Sequence, residues 1–398
     1  MRIAVIFESS PFDRKGLFNA VHNRILHLKE VAENDVIEAC CLQSDDSFLA
    51  RQFRKSPKPV SRPGVVEIDG VRYNMLWYRA GFWDYIRTRY CGCPAFTRHI
   101  SSLVTTLKDV DIVISHGYDG GVLALEALHS YGRPYIANWH GSDVHTKPWK
   151  NPRLKRKTCG IMRWARCNCF VSRALMETGL EICPEMSAEV LYNGVSEAFG
   201  RYDDDRRAAL RQKFGIASGA KVVAYVGNFY SVKNTAVLPD IFFSTAVRYA
   251  AESRNELKFW VIGDGRGRSD VEAAMSVPCK FWGNQPAELM PDFMNCVDVL
   301  VLPSRNEGLP LVAVEALKCG ANVVGSRVGG IPEAVGDEFT VPFAERHTPG
   351  YGKFVSGMGE KIAALLLHPA VQSLPPFIDW HSTAILENSL IRSVTDSE

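Results

Sequence analysis

Short apolar runs alternate with longer amphipathic segments along most of this chain, and this alternation limits the folds open to it. Buried strands joined by helical crossovers form parallel sheets that are covered on both faces. The sequence therefore predicts an α/β fold. In the first series, the helix candidates include Leu17–Glu30 and Gly121–Tyr131. The strand candidates are Arg2–Phe7, Val36–Leu42, Asp111–Ser115, Tyr135–Asn138, Cys169–Val171 and Glu189–Leu191.

One segment departs from this alternation. The runs Val66–Ile68 and Val71–Tyr78 flank Asp69-Gly70, a dipeptide that suits a tight hairpin turn. We expect this hairpin to be an insertion on the first domain.

A second alternating series begins after about residue 200. It opens with a helix candidate, Asp203–Phe214. The strand candidates that follow are Lys221–Val226, Leu257–Ile262, Cys279–Phe281, Val297–Leu302 and Ala321–Gly325.

The length of 398 residues is too great for one ordinary hydrophobic core, so two domains are expected. The segment Tyr192-Asn193-Gly194-Val195 is a turn signal that separates the two series. We place one domain at residues 1–192 and the second at residues 193–375. Residues 376–398 contain a last helix candidate, Trp380–Val394, which we expect to pack back on the first domain.

Composition and charge exclude several classes of protein. Hydrophobic residues make up 46% and charged residues 23% of the chain, as in folded globular proteins. The net charge of +2 and the lack of a recognition module argue against nucleic-acid binding. No apolar run approaches the ~20 residues that span a bilayer, and Ile3–Phe7 is too short for a signal-peptide core. The sequence predicts a cytoplasmic protein whose cysteines are reduced.

The segment from Pro303 to Gly320 carries the strongest chemical signal. It places Glu307 in a loop after an apolar strand and Glu315 in the helix that follows. Pro310 suits the first helical position, and Gly320 suits the left-handed residue after the helix. A helix that begins just beyond the carboxyl end of a parallel strand favours the binding of phosphate at its N-terminus. Carboxylates instead accept hydrogen bonds from sugar hydroxyls. The alternative is that Glu307 caps the helix and Glu315 is solvated.

The frame Pro-Ser, Glu307-Gly308 and Glu315-Ala316 resembles the signature of retaining GT-B glycosyltransferases of glycosyltransferase family four, also called group one. The order and spacing of the motifs match over about residues 190–340, and more weakly before that. The other matching segments are Gly329-Gly330-Ile331-Pro332-Glu333-Ala334-Val335, Val261-Ile262-Gly263-Asp264-Gly265, Phe281-Trp282-Gly283 and Tyr192-Asn193-Gly194-Val195.

This resemblance implies two facing Rossmann-like domains with parallel sheets and a cleft between them. The N-terminal domain would bind the acceptor, and the C-terminal domain would bind a nucleoside-diphosphate sugar, UDP- or GDP-linked. The enzyme would move the sugar to a hydroxyl of a glycan or lipid-linked acceptor, in the synthesis of a cell-surface polysaccharide or glycolipid.

The resemblance also assigns roles to residues of the second half. Glu307 would bind hydroxyls of the donor sugar, and Glu315 would bind the ribose. Lys233 would neutralise the charge on the leaving diphosphate, although a solvated lysine is the alternative. Asn228 stands where family members often have arginine. The remaining donor-binding positions are Gly16, Gly227, Asn228, Gly263, Trp282, Gly308 and the residues with backbone amides after Glu307, namely Leu309, Leu311 and Val312.

Two histidines follow strands of the first half. His140 resembles the family histidine near the anomeric centre, which helps to stabilise the transition state; a structural role is the alternative. His116 is a candidate for lining the acceptor side, and a structural role is again the alternative. In Arg14-Lys15-Gly16, only Gly16 matches the glycine loop of the family.

The expected reaction needs positioning and charge stabilisation, because the donor already carries an activated leaving group. No pair of carboxylates must act as acid and nucleophile, as in a retaining hydrolase. We expect attack by the acceptor hydroxyl on the face that the diphosphate leaves, with neither metal nor cofactor. A sugar-nucleotide epimerase, a glycan phosphorylase and a non-catalytic sugar-nucleotide-binding subunit are the alternatives.

Basic residues lie beside aromatic ones in the first half, as at anionic membrane surfaces. This predicts a protein that binds peripherally to the inner face of a membrane, with a solvated helix and core aromatics as the alternative. The basic residues are Arg51, Arg54, Lys55, Lys58, Arg62, Lys147, Lys150, Arg153, Lys155, Arg156, Lys157, Arg163, Arg166 and Arg173. The aromatic residues are Trp77, Tyr78, Phe82, Trp83, Tyr85 and Tyr90, interleaved with Arg79, Arg87 and Arg89.

Overall fold

The computed structural model describes residues 1–12, 16–54, 61–375 and 379–396. The chain divides into two compact units. Unit one comprises Met1–Asn193 and Trp380–Glu398, and unit two comprises Gly194–Asp379.

Within the described part of unit one, the strands form an eight-stranded sheet in the order β3-β4-β2-β1-β5-β6-β7-β8. Neighbouring strands are parallel except for β3 and β4, which are antiparallel. The strands are β1 (Arg2–Glu8), β2 (Val36–Asp46), β3 (Val65–Ile68), β4 (Val71–Ala80), β5 (Ile112–His116), β6 (Tyr135–Trp139), β7 (Cys167–Phe170) and β8 (Ala188–Val190).

Helices cover this sheet, and their apolar faces close its core. Side chains of β1, such as Val5 and Phe7, pack with Phe18 and Ile25 of the first helix. The helices of unit one are α1 (Gly16–Val31), α2 (Phe48–Arg54), α3 (Phe82–Cys91), α4 (Ile100–Val104), α5 (Gly117–Tyr131), α6 (Ser142–His145), α7 (Lys147–Lys150), α8 (Pro152–Trp164), α9 (Arg173–Leu180) and α17 (Trp380–Thr395).

The predicted hairpin is present, but it is not an insertion. Asp69 and Gly70 have φ values of 49° and 74°, the left-handed backbone that a two-residue hairpin turn requires. However, β4 pairs in parallel with β2 from Ala39↔Tyr73 to Asp46↔Ala80. Because Tyr73 and other residues of β4 are buried in the core, the hairpin extends the main sheet.

The last helix, α17, packs against α1 of unit one. Its residues Ile391 and Val394 are buried in the same core as Ile25 and Leu28. This contact joins the C-terminal end of the chain to the unit that contains its N-terminus.

Unit two contains a six-stranded, all-parallel sheet in the order β11-β10-β9-β12-β13-β14 among the residues described. The strands are β9 (Lys221–Val226), β10 (Leu257–Ile262), β11 (Cys279–Gly283), β12 (Val299–Leu302), β13 (Asn322–Ser326) and β14 (Thr340–Val341). The helices are α10 (Asp204–Lys213), α11 (Leu238–Glu252), α12 (Arg268–Ala273), α13 (Met290–Cys296), α14 (Leu311–Lys318), α15 (Ile331–Val335) and α16 (Tyr351–Leu367).

Two details of unit two differ from the prediction. Pro310 is the residue before α14, not its first helical residue, because its ψ of 90° is outside the helical region. The two-residue strand β14 is too short to show a periodic pattern. Gly320 has the predicted left-handed backbone after α14, with φ of 84°.

Among the described residues, none of the helices combines the length and apolar character that crossing a bilayer requires.

Candidate functional site

Glu307 lies in the loop between β12 and α14, and its carboxylate is the centre of a small polar cluster. Its Oε1 atom accepts hydrogen bonds from Lys233 Nζ at 2.7 Å and from Ser304 Oγ at 2.6 Å. The Glu307 side chain is 12% exposed and that of Lys233 is 27% exposed. Since Oε2 of Glu307 makes no hydrogen bond to the described residues, the carboxylate keeps acceptor capacity for a ligand.

The loop that carries Lys233 is fastened to the loop that carries Glu307. The Arg305 amide donates to Val232 O at 2.8 Å. Asn234, which is buried, donates from Nδ2 to Pro303 O at 3.1 Å and has a left-handed φ of 53°. These bonds hold the ends of β9 and β12 together, so that the ammonium and the carboxylate meet.

Gly329 supports Glu307 from a third loop. Its φ is 49°, and a Cβ atom there would lie 2.2 Å from Glu307 O. The amide of Gly330 donates to the same oxygen at 3.1 Å. The Gly-Gly pair therefore allows backbone contact with the Glu307 loop, a reason that the motif alone did not show.

The start of α14 presents backbone donors beside Glu307. The first bond across this turn runs from the Ala313 amide to Pro310 O at 2.9 Å. Within the part of the chain that the structure describes, no partner accepts from the amides of Gly308, Leu309, Leu311 and Val312. Free amides and the helix dipole together suit a phosphate group.

Glu315 lies on the first turns of α14 and is partly buried. Burial raises the pKa of its carboxyl group to about 7. In the described structure its carboxylate has neither an ion pair nor a hydrogen-bonding partner. Uncharged donors such as ribose hydroxyls match this environment better than a second charge does.

The remaining predicted donor positions lie at the ends of β9, β10 and β11. Gly227 and Gly263 touch closely, since a Cβ atom on Gly263 would lie 2.1 Å from Gly227 O. Asn228 is exposed. Trp282 packs edge-on against Trp260 and Phe293, and its indole nitrogen is buried without a hydrogen-bonding partner among the residues described.

In unit one, the two predicted histidines contact each other. Nδ1 of His116, at the end of β5, lies 2.9 Å from Nε2 of His140, which follows β6. His116 is only 2% exposed, so it does not line an acceptor surface as predicted. Burial, then the neighbouring His140, lowers the pKa of His116 well below its usual value. Burial and, to a smaller extent, Arg24 lower the pKa of His140 to about 3.

Arg24 has no motif to mark it, and sequence reasoning missed it. It lies on α1, is 2% exposed, and donates to Asn138 Oδ1 at 2.8 Å and to Leu191 O at 2.9 Å. Its Nη1 also lies 3.5 Å from Glu387 Oε1 of α17. The available signal was its spacing, because Arg24 falls on the apolar face of α1 with Val21 and Leu28.

A pair of carboxyl groups, Glu8 at the end of β1 and Asp119 in the first turn of α5, was also missed. Burial, together with the carboxylate of Glu8, raises the pKa of Asp119 well above its usual value. Tyr78 Oη donates to Glu8 at 3.1 Å. The two acids lie on elements too distant in sequence for spacing to reveal them.

Gly16, the other predicted donor-binding residue of unit one, is the exposed first residue of α1. The adjacent Arg14 and Lys15 lie outside the described residues, as do Lys55 and Lys58 of the basic run.

Comparisons with known proteins place both units in sequence families. The sequence model for "Glycosyl transferases group 1" matches residues 220–349, and that for "Glycosyltransferase Family 4" matches residues 53–199. The 2-deoxystreptamine glucosyltransferase of Streptomyces kanamyceticus is 33% identical over 317 residues, which cover 74% of this chain and 75% of that protein. A D-inositol 3-phosphate glycosyltransferase of Geodermatophilus obscurus is 30% identical over 37% of this chain, and the match spans only 35% of that protein.

Solved structures share the fold of the whole chain. Sucrose-phosphate synthase from Thermosynechococcus elongatus is similar with a TM-score of 0.67 at 16% identity, over 100% of both chains. The Anabaena protein HepE, solved in complex with UDP-glucose, has a TM-score of 0.64 at 16% identity, over 99% of this chain and 100% of that one. Both units therefore have the α/β architecture of GT-B proteins.

Proposed function

This chain belongs to the group 1 glycosyltransferases, and from that premise we propose that it transfers a sugar from a nucleoside-diphosphate sugar to a hydroxyl group, with retention at the anomeric carbon. The observation that carries this proposal is the contact of 2.7 Å between Lys233 Nζ and Glu307 Oε1 beside the unpaired amides at the start of α14. Cationic and amide donors suit a diphosphate, whereas the carboxylate suits sugar hydroxyls.

The first step of the proposed reaction is departure of the diphosphate. The amides of Leu309, Leu311 and Val312 bind its oxygens, and Lys233 stabilises the negative charge that develops as the glycosidic bond breaks. Lys233 and the helix start take the place of a metal ion in this proposal. A preorganised site of this kind pays no reorganisation cost during the reaction.

The sugar and the nucleoside are held by the two glutamates. Glu307 accepts hydrogen bonds from donor-sugar hydroxyls, and Glu315 accepts them from the ribose. His140 is neutral at physiological pH because its pKa is lowered to about 3, so it acts as a hydrogen-bonding group toward the sugar. The acceptor oxygen bonds to the anomeric carbon on the face from which the diphosphate leaves.

We infer a UDP-linked donor as the first candidate, with a GDP-linked donor as the second, because HepE was solved with UDP-glucose. The relatives point to a hydroxyl-bearing acceptor, since their names specify 2-deoxystreptamine and D-inositol 3-phosphate. We propose a glycan or lipid-linked acceptor of cell-surface synthesis, because the chain is also 24% identical, over 84% of its length, to a putative teichuronic acid biosynthesis glycosyltransferase of Bacillus subtilis.

A thermal-shift panel of UDP, GDP, ADP and their sugars identifies the donor. A ligand at ~100 times its dissociation constant stabilises the fold by about 2.7 kcal/mol. The matching donor is then incubated with hydroxyl-bearing acceptors, and the product is analysed by mass spectrometry and by the anomeric proton coupling in NMR. A product with inverted anomeric configuration contradicts the proposed mechanism. So does a loss of activity in EDTA that added metal ions restore.

The same incubation separates the alternatives. An epimerase converts the donor sugar without an acceptor, and a non-catalytic binding subunit gives a thermal shift with no product. Exposed Asn228 at a phosphate-binding position is the feature that favours the binding subunit. Acceptor-dependent product excludes both.

We propose in addition that unit one docks on an anionic membrane surface. Trp83 and Tyr90 on α3 are exposed, and the guanidinium of Arg89 lies 5.8 Å from the ring centre of Tyr90. Lys155 Nζ lies 3.8 Å from the ring centre of Trp149. Aromatic and basic side chains together bind the headgroup region. Flotation with anionic vesicles at low and high salt tests this, and absence from the lipid fraction at both salts contradicts it.

A further inference from the structure

The contact between His116 and His140 joins two parts of unit one that are 24 residues apart in the chain. His116 is held rigidly at the end of β5, inside the sheet, and is 2% exposed. His140 lies one residue beyond β6 and is partly buried. Because β5 and β6 are paired neighbours, with His116 opposite Asn138, the sheet itself fixes the separation of the two rings.

The contact also restricts the protons of both rings. Two neutral imidazoles share a hydrogen bond only if one nitrogen carries a proton and the other does not. The distance of 2.9 Å between His116 Nδ1 and His140 Nε2 is that of a hydrogen bond, and the rings are tilted by 30°. Since Nε2 of His140 is engaged, Nδ1 is the nitrogen left for a ligand, and its protonation is complementary to that of Nε2.

Burial, and to a smaller extent the charge of Arg24, keeps both rings neutral. Arg24 of α1 lies close enough to act on each ring electrostatically, and its guanidinium donates to Asn138 two residues before His140. On the other side, Asp143 of α6 accepts from the Gly141 amide at 2.9 Å, so it is engaged by the backbone. Glu387 of α17 pairs with Arg24. A doubly protonated pair beside Arg24 would be repelled.

We propose that His116 is a positioning residue, which fixes the orientation of the His140 ring and couples the tautomer of His140 to its own through their shared hydrogen bond. The consequence for sugar transfer rests on the proposed function, in which His140 contacts the donor sugar. The coupling of the His140 tautomer to that of His116 does not depend on that function.

NMR of the imidazole nitrogens tests the coupling of the two tautomers without an activity assay. The ¹⁵N shifts of His140 are assigned by comparison with His140→Asn. Wild type is expected to show one protonated and one unprotonated nitrogen, with the Nδ1 and Nε2 signals well separated. In His116→Leu these shifts are expected to move toward the average of the two tautomers. Unchanged His140 shifts in His116→Leu overturn the proposal.

Kinetics then test the catalytic consequence. Because misplacement of a positioned group by ~1 Å costs about 10²-fold in rate, His116→Leu is expected to lower kcat by 10- to 100-fold, with the donor KM nearly unchanged. His116→Asn keeps an amide near the position of Nδ1 and is expected to restore most of the rate. His116→Gln is not expected to restore the rate, because its amide lies one methylene group further from the backbone.

His22 offers a matched control in the same unit. It is also buried, and its ring contacts Tyr73 Oη at 2.6 Å and Asp69 Oδ2 at 3.1 Å, away from β5 and β6. If His22→Leu lowers kcat as much as His116→Leu does, His116 has only a structural role. If His116→Leu does not fold, the comparison of asparagine with glutamine decides. The His140 shifts could change in His116→Leu while the wild-type protein transfers no sugar. That result would overturn the proposed function and leave the coupling of the two tautomers intact.

Discussion

Lys233 Nζ and Glu307 Oε1 lie 2.7 Å apart although 74 residues separate them in the chain. Each charge neutralises the other. In the proposed reaction, the diphosphate is a second anionic partner for the ammonium, and the sugar hydroxyls are donors to the carboxylate. Under that proposal, the pair connects recognition of the phosphate to recognition of the sugar.

Removing the ammonium should impair transfer with little effect on folding. Lys233→Ala is expected to lower kcat/KM by about 10²–10³-fold, the usual effect of losing one preorganised transition-state donor. Because Lys233 is partly exposed, the loss of the ion pair should cost less than about 1 kcal/mol of unfolding free energy. Steady-state kinetics and the melting temperature measure the two effects.

Lys258 is the control for this variant, since its ion pair with Glu256 at 2.6 Å lies outside the site. Lys258→Ala should retain wild-type kcat/KM. Near-wild-type turnover in Lys233→Ala would remove the assigned role of Lys233.

A side chain at Gly329 should disturb Glu307 through the backbone. The added Cβ of Gly329→Ala would lie 2.2 Å from Glu307 O, and the residue has a φ of 49°. The left-handed backbone alone costs a non-glycine residue about 1–2 kcal/mol, so both the unfolding free energy and the transfer rate should fall. Urea unfolding and kcat measure this.

Gly352 of α16 is the matched glycine, because nothing lies within 4 Å of the Cβ that alanine would add there. Gly352→Ala should leave stability unchanged or raise it by up to about 1 kcal/mol. Equal stability of the two variants would contradict the close contact at Gly329.

Glu315 should make the empty protein less stable as the pH rises. Burial raises its pKa from 4.5 to about 7, so the folded state binds its proton more tightly than the unfolded state does. The stabilising contribution is full below the unfolded pKa and is lost as the pH rises through about 7.

Unfolding free energies of wild type and Glu315→Gln, measured between pH 4.5 and about pH 7, isolate the contribution of the Glu315 proton, because glutamine does not titrate. The difference between the two proteins should grow in favour of glutamine as the pH increases. A difference that stays constant across this range would mean that Glu315 is not desolvated.

The ion pair between Arg24 and Glu387 should contribute to the attachment of α17. Both side chains are 2% exposed. Glu387→Ala leaves the guanidinium buried without this partner, and breaking a buried pair costs about 3–5 kcal/mol. The retained bonds to Asn138 and Leu191 favour the lower end of that range. Denaturant unfolding measures the loss.

Glu185 provides the surface comparison, since its pair with Arg163 is 48% and 58% exposed. Glu185→Ala should cost at most about 1 kcal/mol. Similar losses in both variants would show that the Arg24 network is not buried in solution.

The local pattern of the chain predicted much of the secondary structure. Lys221–Val226 and Leu257–Ile262 were predicted with the bounds that β9 and β10 have. Such predictions succeed because periodic burial is a property of residues adjacent in sequence. The glutamate frame likewise follows from a strand, a loop and a helix start that are consecutive in the chain.

Local sequence patterns were enough to establish the alternation of elements, the family and the loop that carries Glu307. Tertiary structure alone decided that β4 joins the main sheet, that Gly329 touches the Glu307 backbone, and that His116 contacts His140 instead of lining a surface. It also buried Arg24 beside Glu387, which lies 363 residues away. These relationships depend on strand order and on the packing of distant segments, neither of which is encoded in the spacing of neighbouring residues.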